Sequence, residues 1–94
     1  MLHMHFERQD LENTSYSWTD NNKDLFTGPP SRRLFDRRNG NQVLFLINLY
    51  GLLLTEFTKQ AGKSIEKKIQ YDLPESVKSE LSVFNWLRYT SVPF

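Results

Sequence analysis

Apolar residues recur by threes and fours from Val43 through Ile47, Tyr50, Leu54, Phe57 and Ala61 to Ile65. At about 3.6 residues per turn that spacing keeps them on one face of a helix for roughly six turns. In the first half a second apolar line, Phe45, Leu49 and Leu52, lies on the opposite side, and residues 43–54 are broken only by Asn48 and Gly51. Past Thr55 this second side turns polar with Glu56, Lys59 and Lys63. The pattern predicts one long helix over residues 42–71, or two pieces divided at Gly62 with Ser64 recapping the second. Gly51 and Gly62 each cost about 1 kcal/mol relative to Ala in a helix interior. The unbroken stripe favours the single helix.

A further helical face follows in Leu73, Val77, Leu81, Phe84 and Leu87. Asp72-Leu73-Pro74-Glu75 reads as its start. Asp72 caps, Pro74 is tolerated in the first turn, and Glu75 reaches back as in a capping box. With Pro93 beyond its end, this helix is expected over 73–89, antiparallel to the long one. A short helix is expected over 32–38, capped by Ser31 and closed by Gly40, with Asn41 capping the next. Thr27-Gly28-Pro29-Pro30 stops any helix ahead of it.

Upstream of that stop the period changes to two. Leu2, Met4 and Phe6 alternate with His3, His5 and Glu7, and Tyr16 and Trp18 share one side of residues 15–19. Residues 20–24 form a loop by composition. Residues 1–30 predict an extended arm whose Phe6, Tyr16 and Trp18 lie on the helices, or a two-stranded hairpin, which alone is barely stable in water. The fold class is mainly α: a small helical bundle over 31–94, with a long central helix and an antiparallel C-terminal helix. The 1–30 arm is not an independent domain.

Size makes the apolar run consequential. Ninety-four residues form one domain at most, with a modest core. A helix that is apolar all round must be covered all round, and so short a chain has little material to do it. Two copies pairing through Phe45, Asn48, Leu49 and Leu52 would supply the cover and give a homodimeric bundle. Asn48 either pairs with its symmetry mate and fixes register or bonds to a neighbouring side chain or backbone group. Phe35, Phe45, Tyr50, Phe57, Phe84 and Trp86 read as core. Trp18 and Trp86 are candidate interface anchors, since Trp is enriched at binding hot spots.

Twelve Lys and Arg against eleven Asp and Glu leave a net charge of +1, which is no global argument for nucleic acid or an acidic membrane. One local cluster stands out. Arg32, Arg33, Arg37 and Arg38 lie beside Asn39, Gly40 and the start of the long helix. A helix N-terminus offers free N–H groups to an anion, and Arg suits bidentate contact with phosphate. Anion or nucleic-acid binding is therefore the alternative function. The plainer reading is solvation with an Arg32–Asp36 pair, worth roughly a few tenths of a kcal/mol.

The chain has no cysteine, which excludes disulfides, thiolate catalysis and zinc sites built on Cys. His3 and His5 face one way on a strand, but two ligands do not make a site. No serine sits in a nucleophile elbow, and Gly28-Pro29-Pro30 lacks the spacing of a phosphate loop. Glu56, directly after the apolar run, is a candidate for partial burial, which structural ion pairs also produce. No enzyme, metal or cofactor is expected. The apolar run is shorter than the roughly 20 residues of a membrane span, and residues 1–8 carry acid and no long apolar stretch, unlike a signal peptide. The sequence thus reads as a small cytoplasmic, non-enzymatic protein-interaction or regulatory module, whose partner is a second copy or another protein.

Overall fold

The computed structural model describes residues 6–18, 29–54 and 57–90. Within them the protein is mainly helical. Three α-helices form the body: α1, Gly40–Gly51; α2, Lys59–Lys67; and α3, Glu80–Thr90. A π-helical turn, Lys68–Asp72, extends α2, and α1 packs against both α2 and α3. The core joins Val43, Leu46, Ile47 and Tyr50 of α1 to Ile65, Ile69 and the α3 residues Val83, Phe84 and Leu87. Phe6, Leu11 and Tyr16 of the arm complete it.

The long central helix is divided, and not at Gly62. At the end of α1 the chain tightens into i to i+3 bonds, Leu53 N–H to Tyr50 C=O at 2.9 Å and Leu54 N–H to Gly51 C=O at 3.1 Å. Phe57 then returns onto α1, and its ring lies where a side chain at position 51 would stand. Thr58 restarts the helix, its Oγ1 accepting the Ala61 N–H at 3.1 Å. The apolar stripe still reports burial correctly. Ala61 and Ile65 are buried, and Leu54 and Phe57 pack on the core. Periodicity identified the inner face but not the fold-back, because a ring seated on a glycine is a contact between turns that spacing does not encode.

Residues 31–36 are not the expected helix. The chain bends at 32–33 and turns at 37–38, and Leu34 bridges antiparallel to Ser79. Phe35 N–H donates to Lys78 C=O, while Arg33 and Ser31 carbonyls accept the N–H groups of Glu80 and Leu81, all at 2.8 Å. Ser31 thus caps a helix, but it is α3. The same pairing corrects the start of α3. The Asp72–Glu75 signal makes only a turn, with Val77 N–H on Pro74 C=O. The helix begins after Ser79, whose Oγ accepts the Ser82 N–H at 3.1 Å. Backbone pairing with residues 31–35 outweighs the local capping signal. It also turns α3 so that Val83 is fully buried while Leu81 is only half-buried.

The arm is extended apart from one 3-10 turn, Arg8–Asp10. Residues 2–5, part of the expected alternation, lie outside the described residues, as do His3, His5, residues 20–24 and Glu56. Among residues 6–18 no strand pairing occurs; instead Ser17 bridges parallel to Asn39. Phe6 and Tyr16 enter the core and Trp18 packs against it, as the arm reading expects. Two glycines make room. A side chain at Gly62 would overlap the Phe6 ring, and a Cβ at Gly40 would stand 2.6 Å from Trp18. Gly62, an interruption by propensity, is a seat in three dimensions.

Candidate functional site

Two buried carboxylates organise the polar chemistry. Glu80, the first residue of α3, is fully buried. It accepts from Arg33 Nε at 3.0 Å, from Ser31 N–H at 2.9 Å and from Gln42 Nε2 at 3.1 Å. Gln42 also donates to Leu34 C=O and accepts the Asp36 N–H. This clasp binds residues 31–36 to α1 and α3 at once. Burial by itself raises the Glu80 carboxyl, but the Arg33, Ser31 and Gln42 donors outweigh it and hold the group below its ordinary value.

Glu66 of α2 is the second. Its oxygens accept the N–H groups of Glu12 and Asn13 at 2.9 and 3.2 Å and the Tyr16 hydroxyl at 2.6 Å. Gln70 donates to the Tyr16 oxygen and to Arg37 C=O. Burial, reinforced by the bond to Glu66, pushes the Tyr16 phenol far above its usual range. Nearby, Lys59 Nζ sits 2.6 Å from Asp10 Oδ2 and holds that carboxyl below its ordinary value. Among the described residues, every buried side-chain N or O has a hydrogen-bond partner, so these clusters are closed joints.

The arginine cluster is dispersed. Arg33 is tied to Glu80 and lies over the Phe45 ring at 5.8 Å. Arg37 Nη1 donates to Gln70 C=O at 3.3 Å. Asn39 caps α1, its Oδ1 accepting the Gln42 N–H at 3.2 Å, and Gly40 N–H goes to Ser17 C=O at 2.8 Å. Those two N-terminal donors of α1 therefore already have oxygens of the chain itself. Arg32 and Arg38 are exposed and make no side-chain hydrogen bond or ion pair with a described residue. Arg37 and Arg38 join Lys78 along a shallow groove of about 420 Å³ whose apolar lining includes Leu34, Phe35 and Val77.

The expected interface residues of α1 also differ among themselves. Asn48 is committed to the arm, accepting the Phe6 N–H at 2.7 Å and donating to Phe6 C=O at 2.8 Å. Its remaining N–H goes to Leu44 C=O. The bond to a neighbouring backbone group is thus the one present. Phe45 is half-buried under Arg33, and Leu49 packs partly on the core. Leu52 and the adjacent Leu53 remain 58% and 56% exposed.

Sequence reading missed Glu66, Glu80, Gln42 and Gln70. Two of them left a trace. Glu80, Phe84 and Leu87 are spaced by four and three, as are Gly62, Glu66 and Ile69, so each carboxylate stands in line with buried positions. Their partners left none, because those lie far away in sequence. Among the described residues no helix is long and apolar enough to cross a membrane. No protein-family model, curated protein or solved structure matches this chain, so its own geometry carries the functional argument.

Proposed function

We propose that this chain is a small non-enzymatic interaction module that self-associates through the outer end of α1. The observation that carries this reading is the adjacent pair Leu52 and Leu53, both more than half exposed at the helix end. The opposite face of α1 is fully closed, with Val43, Leu46 and Ile47 at zero exposure. Leu49 and Phe45 continue the open end along i, i+3 and i, i+7 spacing as a half-covered line. Burying a leucine fully rather than leaving it in water contributes roughly 1.5–3 kcal/mol. A second copy presenting the same patch about a two-fold axis covers both.

Sedimentation velocity across the micromolar range tests this with wild type beside Leu52→Glu and Leu49→Glu. Leu52→Glu is the cleaner variant because its side chain is already in water. Wild type is expected to show a concentration-dependent dimer that both substitutions abolish. A wild type that sediments as a monomer at high micromolar concentration defeats the reading.

A second reading, anion or nucleic-acid contact, is favoured by the uncommitted charges of Arg38 and Lys78 at the groove and by the exposed Arg32. Reversing Arg33 would break the Glu80 clasp, so Arg32→Glu/Arg38→Glu is the informative variant. Binding to DNA or RNA that weakens steeply with salt and disappears in that variant supports this reading. Indifference to both polymers removes it.

A further inference from the structure

Residues 6–18 are held as a protein holds a bound peptide. The Asn48 amide both donates to and accepts from the main chain of Phe6, and Glu66 takes two consecutive main-chain N–H groups. Ser17 exchanges two 2.8 Å backbone bonds with Arg38 C=O and Gly40 N–H. Side chains enter separate seats: Phe6 on Gly62, and Trp18 on Gly40. The arm also keeps its own shape through the reciprocal Glu7 and Asp10 bonds and through Arg8 stacked 4.0 Å from the Trp18 ring centre. Main-chain clamps combined with side-chain seats are the general means of binding an extended segment.

We propose that the surface seating residues 6–18, built from α1, α2 and residues 38–40, is a peptide-recognition groove, filled in cis by residues 6–18 and open in trans to the same residues of a second copy, so that two chains trade arms. Each groove in a traded pair regains every bond it had. Ten residues separate Trp18 from Pro29. At most about 3.5 Å each, they reach roughly 35 Å, beyond the molecule's longest dimension of 30 Å. The cis arrangement is favoured by the effective concentration of a short tether, on the order of millimolar. Traded pairs therefore form when the chain refolds near that concentration.

Because the chain has no cysteine, single introduced thiols report the arrangement. Asp10 and Lys59 form an arm-to-body ion pair. Full-length Asp10→Cys and Lys59→Cys copies are unfolded, mixed, refolded together at about 1 mM and treated with a short bis-maleimide, with a parallel sample at about 10 µM. The expected result is a mixed cross-linked pair that exceeds both same-variant pairs at the higher concentration and vanishes at the lower one. The double variant in one chain, at the lower concentration, is expected to close internally. A mixed pair that never exceeds the same-variant pairs overturns the proposal, and so does a double variant that fails to close. With Leu52→Glu added to every copy, arm exchange persists while association through the α1 end is lost, so the two ideas fail separately.

Discussion

Glu66 and Glu80 are both buried carboxylates at the centre of a clasp, yet they are neutralised differently. Glu80 has a guanidinium at 3.0 Å together with a backbone N–H and an amide. Glu66 has no cation among its described partners, only two backbone N–H groups and a phenol. The first joins two segments of the body at the start of α3; the second fastens the arm to α2. A charge taken out of water needs compensation, and the protein supplies it with an ion pair where the body closes and with dipoles where the arm docks.

The largest expected effect comes from Glu80→Ala. It strands Arg33, Gln42 and the Ser31 N–H together, and the loss of one partner from such a pair costs about 3 kcal/mol. Urea unfolding measures it, and a loss under 1 kcal/mol would mean that water replaces the carboxylate freely. The same clasp predicts an acid limb. A carboxyl lowered in the fold contributes stability that is complete above its ordinary value of 4.5 and is lost as pH falls through the lowered folded value. Glu80→Gln should flatten stability against pH in that window.

Next in size is Gly62→Ala. Helix propensity predicts a gain of about 1 kcal/mol, but the new methyl occupies the Phe6 seat. Overpacking dominates, and a net loss of about 2 kcal/mol is expected. Hydrogen exchange should show residues 6–18 released while α1 and α3 stay protected. A stabilised variant would show that the arm does not sit on this glycine.

Glu66→Gln replaces one acceptor with a donor facing groups that themselves donate, at a cost of about 1.5 kcal/mol. Its exchange signature should be confined to the arm, unlike the global loosening of Glu80→Ala. Equal loosening of both regions would erase the distinction between the clasps.

The smallest effect belongs to Tyr16→Phe, about 1 kcal/mol for the lost bond to Glu66. Tyr16 also gives the arm an alkaline limit. A phenol raised in the fold contributes stability that is complete below its ordinary value of 10.0 and is lost as pH climbs above it. Arm release monitored by Trp fluorescence should therefore begin above pH 10 in wild type and be absent from Tyr16→Phe.

Much of the burial was legible and little of the joinery. Val43, Ile47, Tyr50, Ala61 and Ile65 lie inside as their spacing requires. Gly51 and Gly62 were legible as anomalies whose cause was hidden, because the rings that use them come from Phe57 and Phe6. Ser31 reads in sequence as the cap of a helix over 32–38, but it serves α3. Its proper partner, Glu80, is 49 residues away.

By itself the sequence determined a mainly helical chain, the inward face of its central helical stretch and an arm, extended or hairpin, bearing Phe6, Tyr16 and Trp18. Periodicity and Pro-Gly punctuation are local properties, readable within a few turns. The tertiary structure alone decided that the central helix is divided into α1, ending at Gly51, and α2, beginning at Lys59, that residues 31–36 pair with the start of α3 instead of forming a helix, and that α3 waits until Glu80. It alone gave Asn48 to the arm. These outcomes rest on hydrogen bonds and ring contacts, several between residues more than forty apart, and only the folded chain brings such partners together.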